Sequence, residues 1–393
     1  MAVDAPAEAA DRAGSGDDRT APGWRWLLAV PLAIYAASRL AQLAVLSWMA
    51  PPSNPALRGR LLAWDAGWFM TVARDGYEHG YTYNKAGELV GNGLAFFPGY
   101  PLLIRAVHFV TGLDFDLAAL TVAWLAGGAA AVLVCALGSR LYDTRTGVAL
   151  TALFCTQPMS VVLSMAYSEG LFVALVAGAL LAAHRRAWLV AGLVGAAAGL
   201  TRPTGAALAL ALAVAVALRL RQGAPPPERW RAVAAALLAL AAVPAYLAWV
   251  GYRVGSARAW FDIQTAGWGS TFDWGVATWR YVSGALRSGD GWIQLSVAWL
   301  LIAAVVAAAV AVTQRVWPPL LVYGLVAFAL VIGQGGYYHS KPRLLVPVLV
   351  VLVPLAVGLG RLRTRTAALI LAGWAAFGLW YGAYLITVWR FAV

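Results

Sequence analysis

The chain has 393 residues, 62% of them apolar and only 12% charged, with a mean hydropathy of +0.72. Soluble domains run near roughly 45–50% apolar and about 25% charged. The composition therefore excludes a soluble enzyme, a disordered chain, a collagen or coiled-coil rod and a disulfide-built scaffold. The net charge of +12 comes from 27 Arg and 2 Lys. The arginines cluster between apolar runs, the pattern of the positive-inside rule, so a membrane partner is expected and a nucleic-acid partner is not.

Residues 1–23 are polar and small, with no apolar stretch of the signal-peptide kind. They read as a disordered cytoplasmic tail. The first apolar span covers about 24–49. A long polar and aromatic segment, 50–116, follows. Further spans are expected at about 117–138, 148–167, 170–183, 187–201, 206–218, 233–252, 293–313, 318–334, 344–360 and 367–389. These make an all-α polytopic membrane protein of about eleven transmembrane helices. The spans between 187 and 218 are short and rich in Ala and Gly. Trp and Tyr flank many of the runs, as at a membrane interface. Cys135 and Cys155 both fall inside spans, and no disulfide is expected.

Charge sets the expected orientation. With the N-terminus inside, the inner connections carry Arg140/Arg145, Arg185/Arg186, the Arg219–Arg231 run, Arg315 and Arg361/Arg363/Arg365. The short outer connections carry only Arg202, Lys341 and Arg343. The long segments 50–116 and 253–292 then lie outside. Of the twelve acidic residues beyond the tail, ten fall on the outer side and only Asp143 and Glu228 inside. None falls mid-span, which argues against a proton-coupled transporter.

The first external segment carries the chemistry. It reads LLAWDAGWFMTVARDGY, then a hydrophilic stretch, then AFFPGYPLLIRAVHFVTG. Neither apolar piece is long enough to span. Leu62, Asp65, Trp68/Phe69 and Val72 share a helical face, so Asp65 lies in an apolar, aromatic stripe along the membrane surface. Partial desolvation strengthens such a carboxylate as a general base for a sugar hydroxyl. Spacing alone also allows a helix cap. Asp75 precedes Gly76-Tyr77, where a helix end or turn role is equally open.

Taken together, WDAGWF…ARDGY, AFFPGYPL, LFCTQPMSVVLSMAYSEGLF (153–172), GLTRPTG (199–205) and HSKPRLLVP (339–347) resemble the PIG-V family. These are mannosyltransferases related to the second mannosyltransferase of GPI-anchor assembly. The matching pieces run in family order over residues 60 to 347. The resemblance implies a GT-C glycosyltransferase, with a transmembrane catalytic domain over 24–393. It implies an active site at the outer membrane face, a polyprenyl-phosphate-mannose donor and inversion at the anomeric centre. It also implies an essential Asp in the first external loop, a position matched by Asp65. Trp64 and Asp75 of the same motif become candidate substrate contacts.

A lipid-linked donor suits an outer face, where nucleotide sugars are absent. Its phosphate leaving group needs mainly charge stabilisation, which Arg and Lys supply, and no metal or other cofactor is required in principle. Candidate phosphate contacts are Arg202, Lys341 and Arg343, with His339 alongside. The other reading of these residues is snorkelling to lipid headgroups. Glu169 could bind sugar hydroxyls, orient a cation, or simply favour a helix N-terminus. Arg39, inside the first span, either snorkels outward or faces the site.

Asp114-Phe-Asp116 looks like a metal-binding Asp-x-Asp motif, but it opens a span where Asp is expected as a cap. Asp17-Asp18 lies in the tail. His108 and His184 lack partners at metal-ligand spacing. The segment 253–292 holds Trp260, Trp268, Trp274, Trp279 and Trp292, which could stack on sugars or anchor at headgroups. The rival readings are a GT-C transferase for another lipid-linked sugar, and a lipid-linked sugar transporter or flippase. The Arg- and Ala-rich, Lys-poor composition looks like that of a high-G+C bacterium, which points to its plasma membrane. The acceptor could be a lipid glycan, a wall polymer or a protein.

Overall fold

The computed structural model describes residues 24–50, 57–314, 316–389 and 391. The expected tail 1–23, the start of the first long segment and Arg315 lie outside the described residues. The described chain is helical apart from a small antiparallel hairpin, in which Thr82–Tyr83 pairs with Leu89–Val90, and an isolated bridge between Phe272 and Gln334.

Five helices are long and apolar enough to cross a membrane: Arg25–Met49, Phe115–Leu141, Pro226–Val254, Trp292–Thr313 and Thr364–Thr387. A sixth is possible if the pair Tyr338–Leu344 and Leu349–Arg361, bent by 82°, is one broken span. Three shorter apolar helices accompany them: Glu169–His184, Trp188–Gly199 and Pro318–Gly333. The expectation of eleven full-length spans is therefore corrected. Apolar composition marked every one of these segments, but composition does not report where the backbone leaves the helix. The twelve-residue helix Trp188–Gly199 is roughly 18 Å long at about 1.5 Å per residue, well short of a bilayer core.

Two breaks have visible causes. The expected span 148–167 is a helix over Thr144–Thr156, followed by a buried 3-10 turn at Ser160–Leu163. Pro158 follows the helix end, and the residue before a proline is pushed out of the helical region. The turn leaves backbone carbonyls in the apolar interior, and Arg39 serves them. Its guanidinium donates to Ser160 O at 2.6 Å, to Ser164 Oγ at 3.0 Å and to Cys155 O. Arg39 is 1% exposed, so it neither snorkels outward nor faces the site.

The second break lies in the expected span 344–360. Pro347 lacks the N–H that would continue the helix, and Tyr323 Oη donates to its carbonyl at 2.8 Å. On the way into this bend, Lys341 is buried. Its Nζ donates to Val331 O at 2.8 Å and to Gln334 O at 2.5 Å. It thus caps the C-terminal end of Pro318–Gly333, where a cation satisfies orphan carbonyls and opposes the helix dipole.

The Ala- and Gly-rich hairpins pack backbone to backbone. A Cβ on Gly192 would sit 2.5 Å from Ala235 Cα, so only glycine lets Trp188–Gly199 lie this close to Pro226–Val254. Small residues give membrane helices this kind of contact.

The two long connecting segments fold against each other. The first contains helices Leu57–Leu61, Asp65–Asp75 and Gly99–Thr111, and the second contains Ala259–Trp268 and Val276–Ser288. Arg253 ties the first to the end of Pro226–Val254, donating to Glu78 O at 2.6 Å and Tyr77 O at 2.8 Å. Tyr246 Oη reaches Phe96 O at 2.7 Å, and Gln264 Nε2 reaches Ala95 O at 3.1 Å.

Replacing Arg39 with Leu strands buried carbonyls, each costing about 1–3 kcal/mol when unpaired. The thermal unfolding midpoint of Arg39→Leu in detergent is expected to fall by several degrees, and an unchanged midpoint would contradict the capping role. Lys341→Met is expected to lower the midpoint in the same way, since it strips two carbonyls of a charged donor.

Candidate active site

The helix Asp65–Asp75 begins at the aspartate itself. Trp64, just before it, has φ 56° and ψ −114°. This is a region that non-glycine residues rarely occupy, at a cost of order 1–3 kcal/mol, and such strain concentrates at functional sites. Leu62 lies before the helix rather than on its face. Phe69 and Val72 turn inward, buried, and Trp68 is half-buried. The expected stripe is present from Asp65 onward.

Asp65 heads a chain of alternating charges. Its Oδ2 is 2.6 Å from Arg343 Nη1. Arg343 Nε is 3.7 Å from Glu169 Oε1, and Arg202 Nη1 is 2.9 Å from that same oxygen. Arg202 also donates to Ser168 Oγ at 3.0 Å. The side chains of Arg343 and Asp65 are 12% and 19% exposed, and that of Glu169 is 1% exposed. Two carboxylates and two guanidiniums balance in charge. Removing one member would leave a buried charge without its partner, typically about 3–5 kcal/mol.

The contacts within the chain differ in kind. The Asp65–Arg343 contact is a hydrogen-bonded pair. The contacts to Glu169 are close in distance but not aligned, and neither Glu169 oxygen has a directed hydrogen bond among the described residues. Arg343 and Arg202 therefore keep donor capacity that a planar acceptor such as phosphate could take up.

Tyr167 forms the floor. Arg343 lies over its ring, 5.2 Å from the centroid. Its hydroxyl accepts from Asp65 N at 3.3 Å and donates to Ala63 O at 3.4 Å. A backbone bond from Ala166 N to Leu61 O, at 2.9 Å, fixes the same junction. Gly99 N donates to Leu200 O at 2.7 Å, and a Cβ on Gly99 would meet Thr201 Oγ1 at 2.5 Å. The segments around Asp65, Gly99, Glu169, Arg202 and Arg343, far apart in sequence, meet here.

An aromatic wall stands beside the cluster. Trp68 stacks on Phe96 at 6.0 Å between centroids, and Trp268 meets Phe96 edge-on at 5.3 Å. Phe69 meets Phe96 and Tyr100 edge-on, both at 5.0 Å. Of the tryptophans in the second segment, Trp268 thus packs on the first segment, and Trp260 Nε1 donates to Ala95 O at 3.3 Å. Trp274 and Trp279 are exposed.

Three candidates stand apart. Asp75 is the last residue of its helix, ten residues from Asp65 and so roughly 15 Å along the axis. It is exposed and paired with Arg74 at 3.0 Å. The Arg74 hydrogen bond holds its carboxyl below the usual aspartate range. Its place is a helix end, not the cluster. Lys341 serves the helix end described above. His339 is buried among the rings of Tyr337, Tyr338, Trp389 and Phe391. The Asp114 carboxylate accepts from Leu117 N at 2.8 Å as a helix cap, and Arg58 pairs with both Asp114 and Asp116.

Sequence reasoning did not single out Tyr167 or Phe96, and it left Trp268 as one of five tryptophans that could stack on sugars or anchor at headgroups. Tyr167 stands in the Tyr-Ser-Glu motif beside Glu169, which was signal enough. Nothing local distinguishes Trp268 from its neighbouring tryptophans.

The family model described as Mannosyltransferase (PIG-V) matches residues 33–215. No curated protein matches the chain. Among solved structures, ArnT from Cupriavidus metallidurans in the apo state superposes with a TM-score of 0.52 at 19% identity, covering 87% of this chain and 62% of ArnT. The same enzyme bound to undecaprenyl phosphate gives a TM-score of 0.52 at 16% identity, covering 90% of this chain and 64% of ArnT. The chain thus spans under two thirds of the length of the structure it resembles, and the likeness is one of fold. It is a multi-pass membrane protein with a GT-C-like arrangement of helices. Residues 33–215, which carry Asp65, Tyr167, Glu169 and Arg202, are similar to the PIG-V mannosyltransferase family over that part of the chain.

Proposed function

We propose that the chain transfers mannose from polyprenyl-phosphate-mannose to a lipid or glycan acceptor, with inversion at the anomeric carbon. Asp65 is the general base, and Arg343 and Arg202 hold the donor phosphate. The observation that carries this reading is the Asp65–Arg343 pair at 2.6 Å, with Glu169 tying Arg343 to Arg202.

The chemistry runs through that chain of charges. A donor phosphate offers acceptor oxygens to the two guanidiniums, whose planar forks suit it. As Arg343 turns toward phosphate, the Asp65 carboxylate is released from its cationic partner and is free to face the acceptor hydroxyl. Asp65 then takes the proton of the acceptor hydroxyl as that oxygen attacks the anomeric carbon. The bond from that carbon to the phosphate oxygen breaks on the opposite face. The polyprenyl phosphate leaves with its charge held by Arg343 and Arg202. Glu169 keeps both arginines aimed at the same point. Trp68, Phe96 and Trp268 offer apolar faces to the sugar or the isoprenoid.

The undecaprenyl phosphate bound by ArnT supports a lipid-phosphate donor. The distribution of arginines supports a cytoplasmic N-terminus and an extracytoplasmic site in a bacterial plasma membrane. The direct experiment is to supply membranes with radiolabelled polyprenyl-phosphate-mannose, and in parallel with the glucose-bearing donor, and to identify the product that acquires label. Label from mannose alone supports this reading, and label from glucose alone replaces the sugar assigned.

Asp65→Asn keeps the side chain's shape and an acceptor for Arg343. It is expected to cut transfer by at least about 100-fold, the usual scale of general-base catalysis, with membrane insertion retained and the thermal midpoint lowered because Arg343 loses its charged partner. Transfer at the wild-type rate would remove the base assignment. Arg343→Lys keeps the charge and loses the fork. It is expected to raise the donor KM by about tenfold, the loss of roughly one charge-assisted hydrogen bond, and an unchanged donor KM would exclude a phosphate contact.

A further inference from the structure

At the end of the helix bundle away from Asp65 lies an open cavity of about 610 Å³. Its distance from the Asp65 cluster follows from one helix. Glu169 begins Glu169–His184 and His184 ends it, fifteen residues on and so roughly 22 Å away. The cavity is lined by Arg140, Arg185, Arg186 and Arg219 at helix ends, with Trp188 and Trp317 as walls.

The charges here are not balanced as they are around Asp65. Arg219 is held by Glu228, with Nε and Nη2 at 2.9 and 2.7 Å from its two oxygens, and Trp188 Nε1 donates to the same carboxylate at 2.9 Å. That carboxylate is thereby occupied. Arg140, Arg185 and Arg186 have no carboxylate within ion-pair distance among the described residues. Arg186 takes φ 59° in the turn between two helices, a position where glycine would be relaxed. Three guanidiniums, all solvent-exposed, thus surround one cavity of ligand size, and their mutual repulsion, offset in part by Glu228 acting on Arg186 at longer range, favours a bound anion. Guanidinium forks match phosphate oxygens in geometry, and indole walls suit a ligand with an apolar part at a membrane interface.

We propose that this cavity is a phosphate-binding site, separate from the Asp65 cluster, in which Arg140, Arg185 and Arg186 hold a phosphate group. The phosphate is either the headgroup of an anionic lipid or a free ion. The assignment stands on this cavity alone and does not depend on the role of Asp65.

The test uses the full chain in nanodiscs of phosphatidylcholine containing a trace of photoactivatable phosphatidylglycerol. After irradiation, labelled peptides are mapped. Label is expected on peptides containing 183–188 and 215–222. Excess phosphatidylglycerol should chase it and excess phosphatidylcholine should not, which identifies a lipid headgroup. Chase by inorganic phosphate at millimolar concentration identifies the free ion as an occupant. In Arg140→Gln/Arg185→Gln, labelling should fall by about tenfold or more, the scale of one lost charge-assisted contact. Label that misses these peptides, or that resists every phosphate-bearing competitor in the wild-type protein, overturns the proposal. So does label unchanged in a folded double variant. If the double variant does not fold, the wild-type mapping and chase decide.

Discussion

A guanidinium held between two carboxylates organises this molecule. Arg343 touches Asp65 from one side and Glu169 from the other, and Glu169 passes the connection to Arg202. A lone charge at this depth would be expensive, and four alternating charges are tolerable because each is countered by the next. The arrangement also limits where the chain can go. Asp65 sits at the head of a short helix, Glu169 at the head of another, Arg202 in a tight turn and Arg343 at a bent span. All four must arrive together, and the strained Trp64 backbone and the missing Cβ of Gly99 are where that convergence is felt.

The buried and half-buried cations that bridge segments divide into two kinds. Arg39, Lys341 and Arg253 donate to backbone carbonyls and hold broken helices or crossing segments in place. Arg202 and Arg343 face carboxylates instead, with donor capacity left over. Satisfying a carbonyl fixes a backbone, whereas an ion pair can exchange one anion for another. That difference separates scaffold from chemistry more clearly than burial does, since all these residues are largely removed from solvent.

Much of this was legible before any coordinates. The Trp-Asp-Ala, Pro-Gly-Tyr-Pro, Tyr-Ser-Glu and His-Ser-Lys-Pro-Arg motifs marked the segments that meet, and Asp65, Glu169, Arg202 and Arg343 do meet. The long helices also lay where apolar runs put them, as at Phe115–Leu141 and Trp292–Thr313. The misplaced spans have one source. Apolar composition does not distinguish a full span from a half-helix followed by a buried turn, so the breaks after Thr156 and around Pro347 were read through. Lys341 and Arg343 also looked alike. One reaches back to the end of a neighbouring helix and the other reaches into the cluster, because two residues apart on the short helix Lys341–Leu344 they point to nearly opposite sides of it, about 200° apart. The helices in the second long segment were hidden by its glycines and tryptophans.

The central claim is that Arg343 trades Asp65 for phosphate. The most direct measurement is an experimental structure of the chain with polyprenyl phosphate bound. Phosphate oxygens are expected within hydrogen-bond distance of both Arg343 and Arg202, with an Asp65–Arg343 separation longer than the present 2.6 Å. Phosphate seated elsewhere, with that pair still closed, would contradict it.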